Sequence, residues 1–286
     1  MNFEKYLENK KNIIEKALDE YLPPEEKPPS IIHKAMRYSV FGGGKRIRPI
    51  LTLATAELFG KDIENVIKAA CGVELIHTFS LIHDDLPCID NDDFRRGRPS
   101  NHKVFGEAIA LLAGDALLVS GFDLIIRNSE VKGIKKQSIL KLIKETSFYL
   151  GTENMLGGQV EDINLKNEDI KKEDLYNLYM KKTAALICLS TRAGAILSEA
   201  NQRQLKALTK YGENIGLAFQ IVDDMLDIMQ DQRDTEKPTY ANKYGIKESE
   251  SESERLIGEA KDSLKMFEQK AETLKSLADY LLTRKK

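Results

Sequence analysis

SLIHDDLPCIDNDDFRRG, residues 80–97, packs five aspartates (Asp84, Asp85, Asp90, Asp92, Asp93) into ten positions directly behind an apolar run. Arg95, Arg96 and Arg98 follow at once. A second acidic cluster, Asp223-Asp224-Met225-Leu226-Asp227, also ends an apolar run, far downstream. Carboxylates crowded at the ends of buried segments repel one another unless cations offset the charge. Two such clusters, with separate basic patches, suggest a polyanion held through metal ions. The plain alternative is a solvated acidic face, the usual place for aspartates.

The spacing sharpens the first reading. Asp223 and Asp227 are four apart, so a helix brings them to one face, one turn from each other. Near a helix C-terminus they would also oppose the macrodipole. Two hard oxygen donors on one face suit Mg²⁺, which commonly bridges protein carboxylates to substrate phosphates. Asp84 and Asp90 are six apart, which on an unbroken helix is about 240°. Pro87 between them predicts a break that lets the chain fold back and Asp90 rejoin Asp84. Asp85 would then be a supplementary ligand, and Asp92 and Asp93 would orient the arginines. Arg95 and Arg96 have the fork geometry for bidentate phosphate recognition; neutralisation of the aspartates is the other use open to them.

Upstream, GGGKRIR (42–48) is not a Walker A loop, because GxxxxGK[ST] is absent. Its glycines permit close backbone approach, and Lys45, Arg46 and Arg48 stand beside them, so a second anion pocket is expected. His77, two turns before Asp84, belongs either to a phosphate site or to the core. Cys71 and Cys188 have no base at a telling offset and read as core residues.

Composition bounds the class. The 286 residues carry 42% hydrophobic and 31% charged side chains with a net charge of −2. That gives no basic field for nucleic acid, so anion recognition must come from local patches. Uncharged runs are too short for the roughly 18 residues that a spanning helix needs. The three cysteines form no CxxC pair, and the N-terminus lacks a signal-peptide core, so a cytoplasmic location is expected.

Helical periodicity runs through residues 3–21, 31–39, 62–83, 108–126, 134–150, 171–199 and 202–230, with two charged amphipathic helices from 248 to 284. Ser30 is placed to cap the second of these helices. No alternating strand pattern stands out and no linker divides the chain. The expectation is an all-α single domain, 1–286, of ten or more helices.

In order along nearly the whole chain, GGGKRIRP (42–49), LIHDDLPCIDNDDFRRGRPSNHKVFGE (81–107), LLAGDALL (111–118), GGQVED (157–162), KKTAAL (181–186) and FQIVDDMLD (219–227) resemble the trans-isoprenyl diphosphate synthases. The four residues between Asp85 and Asp90 are similar to the longer first motif of bacterial farnesyl and plant-type geranylgeranyl enzymes. The resemblance implies an all-helical homodimer with its two aspartate motifs across a central cavity. It implies isopentenyl and allylic diphosphates as substrates and three Mg²⁺ ions as cofactor. Asp84, Asp85, Asp90, Asp223 and Asp227 would be the ligands, with Asp224 supporting them. By the same resemblance Arg95, Lys182 and Lys237 contact the allylic diphosphate, and Lys45, Arg48, His77 and Arg96 hold isopentenyl diphosphate. Thr183, the Lys182 carbonyl and Gln220 would flank the allylic cation.

In such synthases, bulk just upstream of the first motif gates product length. Phe79, beside the smaller Thr78 and Ser80, could floor the cavity, which favours farnesyl over geranylgeranyl diphosphate. One departure stands out: RDTEKPTYANKYG is about ten residues short of the usual loop, with Lys237 already inside KPTY. Either Lys243 substitutes for the missing lysine or one phosphate contact is lost. A non-catalytic subunit of a heteromeric prenyltransferase shares the fold but typically loses aspartates, whereas both motifs are intact here.

Overall fold

The computed structural model describes residues 3–165, 170–229 and 238–283. Fourteen helices are described: α1 (Phe3–Tyr21), α2 (Ser30–Val40), α3 (Ile47–Leu58), α4 (Ile67–Asp84), α5 (Asn101–Phe105), α6 (Glu107–Arg127) and α7 (Lys136–Leu150); then α8 (Met155–Ile163), α9 (Lys172–Tyr179), α10 (Ala185–Leu197), α11 (Gln202–Met229), α12 (Tyr240–Tyr244), α13 (Ile246–Ser263) and α14 (Glu272–Thr283). The all-α expectation holds. One small exception is an antiparallel hairpin, β1 (Phe94–Arg95) with β2 (Arg98–Pro99), inside the arginine stretch. Two-residue strands are too short for alternation to reveal. Ser30 is the first helical residue of α2, not its cap; Pro29 holds that position without a side-chain bond.

The chain divides into two compact units. In the first, residues 1–53 and 62–143, α4 is the core helix. It is apolar all round, so almost every face of it is buried. Asn128, fully buried just past α6, satisfies the start of α4: its Oδ1 accepts from the Ala69 amide at 3.1 Å. Ile14 and Leu18 of α1 are fully buried at their helical spacing. Helix α6, with its extension to Glu130, is by length and composition apolar enough to cross a membrane. It packs along α4, however, and Asp115 and Asp123 interrupt its surface.

The second unit, residues 54–61 and 144–286, is built along the 28-residue α11, which packs on α10, α13 and α14. Tyr211 is fully buried on it and its hydroxyl donates to the Leu274 carbonyl at 2.7 Å. Arg192 on α10 forks onto Glu145 on α7 with two bonds of 2.6 Å. The long periodic stretch predicted over 171–199 is α9 and α10 joined by a π-helical turn, Met180–Ala184.

Candidate active site

In the first unit α4 stops at Asp84, three residues before Pro87, and the chain winds back through tight turns. The Asp90 amide donates to the Asp84 carbonyl at 2.9 Å, so the fold-back read from Pro87 brings the two residues together at the backbone. Asp85, one residue on, is buried at 3% exposure. Its Oδ1 accepts from Arg95 Nε at 2.8 Å and also from Arg95 Nη2. Burial pushes the Asp85 carboxyl upward, and the Arg95 guanidinium offsets part of that. Asp85 is therefore positioned to aim Arg95, rather than placed as an open ligand. Asp92 joins in at 3.1 Å from Arg95 Nη2, as expected. Asp93 departs from expectation: it pairs with Lys103 at 2.7 Å, not with an arginine.

The glycine loop approaches a guanidinium, not empty space. Arg96 donates through Nη1 to the Gly43 carbonyl. A Cβ at Gly44, whose φ is +118°, would lie 2.7 Å from that same nitrogen. The three neighbouring cations of the loop part ways. Arg46 is buried at 2% exposure, where it bonds Glu74 Oε1 at 3.0 Å and the Val40 carbonyl at 2.5 Å. Lys45 is exposed, and Arg48 Nη1 stands 3.1 Å from His77 Nε2. Sequence reasoning grouped Arg46 with the anion binders; Glu74, one turn before His77 on α4, was the signal that it had an internal partner. Phe79 is buried at 5% exposure, its ring edge-on to His83 at 4.9 Å. Ser80 turns its hydroxyl back to the His77 carbonyl at 2.9 Å.

In the second unit the π turn carries Lys182 and Thr183. Such turns widen a helix locally and often mark functional sites. Gly158 of α8 makes it possible, because a Cβ there would lie 2.7 Å from the Lys182 amide nitrogen. Lys182 Nζ is held by Asp162 at 2.6 Å, and Lys181 pairs with Glu161. Thr183 Oγ1 donates to Gln220 Oε1 at 2.6 Å, and Gln220 Nε2 donates to Asp224 Oδ1 at 3.1 Å. Asp224 is buried at 3% exposure, and its Oδ2 accepts from Tyr179 and, at 3.2 Å, from the Tyr240 amide. That network supports Gln220 from behind and does not present Asp224 as a metal ligand. Asp223 and Asp227, one turn apart on α11, are half-buried. Sequence reading missed Tyr179, although it stands three residues before Lys182. Lys237 lies outside the described residues.

Among the described residues no three His, Cys, Asp or Glu side chains form a closed metal cage. The donor chemistry still fits Mg²⁺, which takes one or two carboxylates and completes its shell with water and substrate phosphate. Asp84 with Asp90, and Asp223 with Asp227, are such pairs; Asp85 and Asp224 are committed to Arg95 and to Gln220 with Tyr179.

A helical chain with two carboxylate pairs, guanidinium and lysine donors held by acids, and a π-turn hydroxyl bonded to an amide on α11 is equipped for diphosphate chemistry. The Polyprenyl synthetase family model matches residues 29–243. A dimethylallyltranstransferase of Fischerella ambigua is 43% identical over 297 residues, covering 99% of this chain and 84% of that protein. A chloroplastic geranylgeranyl pyrophosphate synthase of Capsicum annuum is 42% identical over 295 residues, covering 99% and 79%. The crystal structure of an FPP/GFPP synthase from Zymomonas mobilis superposes with a TM-score of 0.89 at 35% identity over 99% of both chains. The chain belongs to the polyprenyl synthetase family.

Proposed function

We propose that this chain, as one polyprenyl synthase domain, condenses isopentenyl diphosphate with dimethylallyl and geranyl diphosphates to make (2E,6E)-farnesyl diphosphate. The observation that carries the reading is that the first acidic motif folds Asp90 back onto Asp84 with Arg95 aimed by Asp85, while the π turn holds Lys182 on Asp162 and Thr183 on Gln220. Asp84, Asp90, Asp223 and Asp227 would hold Mg²⁺, three ions by family likeness. When bound, the metal neutralises charge on the departing diphosphate.

The chain's own residues do the rest. Arg95 and Lys182, with Lys237, bind the allylic diphosphate and stabilise the charge that builds on it as the C–O bond ionises. Thr183, the Lys182 carbonyl and Gln220 offer fixed dipoles to the allylic cation, which water would otherwise capture. Lys45, Arg48, Arg96 and His77 hold isopentenyl diphosphate so that its double bond attacks that cation. The proton lost afterwards goes to the released diphosphate.

A geranylgeranyl product is the second reading, favoured by the plant relative's name and its 42% identity. For the fifteen-carbon product stands Phe79, large and buried five residues before Asp84. We further propose a homodimer formed through α6. Leu112, Val119 and Ile126, at 51, 69 and 49% exposure, recur every seven residues on its outer face. Such an apolar stripe suits a self-complementary contact.

Incubating purified protein with Mg²⁺ and the two five-carbon diphosphates tests the reading. An extract dominated by fifteen-carbon product supports it, a twenty-carbon product selects the second reading, and no elongation rejects both. Sedimentation of Val119→Lys beside the native chain tests the dimer: loss of a double-mass species is expected, and a native chain sedimenting as a monomer overturns it.

A further inference from the structure

Tyr179 ends α9 immediately before the π turn and is buried at 5% exposure. Its hydroxyl donates to Asp224 Oδ2 and accepts from the Tyr240 amide at 2.9 Å. Asp224 Oδ1 accepts from Gln220, whose other end accepts from Thr183. We propose that Tyr179 is a positioning residue that locks Gln220 and Thr183 for the allylic diphosphate and ties them to α12. The claim rests on the proposed function for its substrate and on geometry for the lock.

Asp224 Oδ1 takes the NH₂ end of Gln220 and leaves Oε1 for the Thr183 proton. The Thr183 hydroxyl proton is thereby committed, and the orientation of its oxygen is fixed. Asp224 is buried, and Tyr179 is one of the donors that satisfy its oxygens. Without the phenol, Oδ2 keeps the Tyr240 amide but loses the hydroxyl, and the carboxylate is released to rotate. The Gln220 amide then loses the fixed oxygen that anchored it. α12 loosens as well, because the Tyr240 amide loses one of two acceptors. The ring of Tyr240 is held separately, with Lys172 Nζ 5.1 Å from its centroid, so removing one hydroxyl does not undock the helix.

Tyr179→Phe tests this with two readouts. Steady-state kinetics are expected to show the KM for the allylic diphosphate rising about tenfold with kcat lowered, and the KM for isopentenyl diphosphate unchanged. Tyr179→His, which restores a donor, should recover most of the loss. Hydrogen exchange at the Tyr240 amide should accelerate several-fold in the Phe variant. Equal losses on both substrates, or unchanged exchange at Tyr240, overturn the lock. If the native chain shows no turnover, the functional reading falls, and exchange at Tyr240 still decides the lock. Should Tyr179→Phe fail to fold, Asp224→Asn carries the same substrate-selective expectation, and its absence overturns the claim.

Discussion

Arg48 Nη1 stands 3.1 Å from His77 Nε2, and the imidazole accepts that contact because it is neutral. Burial lowers the pKa of His77 well below 6.5, and Arg48, Arg96, Arg46 and Arg95 each push it further down. In the unfolded chain the same ring titrates near its ordinary value. Below pH 6.5 the unfolded state therefore takes up a proton that the folded state refuses, and stability falls as pH falls. Above that value the contribution is complete and flat. The slope from this ring approaches about 1.4 kcal/mol per pH unit. Urea midpoints measured from roughly pH 7 down to 5 should show it, and His77→Gln should flatten the curve. An equal slope in both proteins would remove His77 as its source.

Arg95 and Asp85 form a pair in which the acid is the buried member. Removing the arginine strands a carboxylate at 3% exposure, whereas Arg95→Lys leaves a point charge that cannot fork. Arg95→Ala is expected to cost about 2–3 kcal/mol of stability. Arg95→Lys should cost under about 1 kcal/mol yet still weaken allylic diphosphate binding. Thermal melts and the allylic KM separate the two effects; a silent Arg95→Ala melt would show that Asp85 finds another donor.

Much of this site is legible in the sequence because its chemistry is local. Asp223 and Asp227 share a helical face by spacing alone, and Pro87 marks the return that sets Asp90 beside Asp84. What spacing does not show is which of several like residues turns inward. Arg46 and Arg48 are two apart in one basic loop, yet Arg46 is buried on Glu74 and Arg48 meets His77. Asp223 and Asp224 are adjacent, yet only Asp224 is buried in the network of Tyr179 and Gln220. The π turn is equally hidden, since it depends on Gly158 lacking a side chain at one place on a different helix. Those outcomes are decided by tertiary partners, to which periodicity is blind.

Gly158→Ala should act through that contact. The new Cβ would meet the Lys182 nitrogen at 2.7 Å and the Lys181 carbonyl carbon at 3.0 Å, backbone atoms that cannot rotate away. The π turn must shift, carrying Lys182 and Thr183 with it. A loss of about 1–3 kcal/mol in stability is expected from overpacking. Turnover should fall about a hundredfold if the donors move by an ångström. Gly258→Ala on α13, where nothing lies within 4 Å, is the control and should stabilise by up to about 1 kcal/mol. Melting and kcat on both variants check the contrast; full turnover in Gly158→Ala would detach the π turn from catalysis.

Phe79 bears on product length. Its ring is 5% exposed and edge-on to His83 at 4.9 Å, so it is fixed in place rather than swinging. A growing chain that reaches the ring would stop there, and truncation would let it continue. Phe79→Ala should therefore shift product from fifteen toward twenty or more carbons, at a cost of about 3–5 kcal/mol in stability. Phe79→Leu keeps more of the core and should shift length less, which guards against reading a folding defect as a change of specificity. Ser80→Ala should leave length unchanged, because the Ser80 hydroxyl is turned back to the His77 carbonyl. Chromatography of the dephosphorylated products decides: an unaltered length in soluble Phe79→Ala and Phe79→Leu would place the floor on another residue.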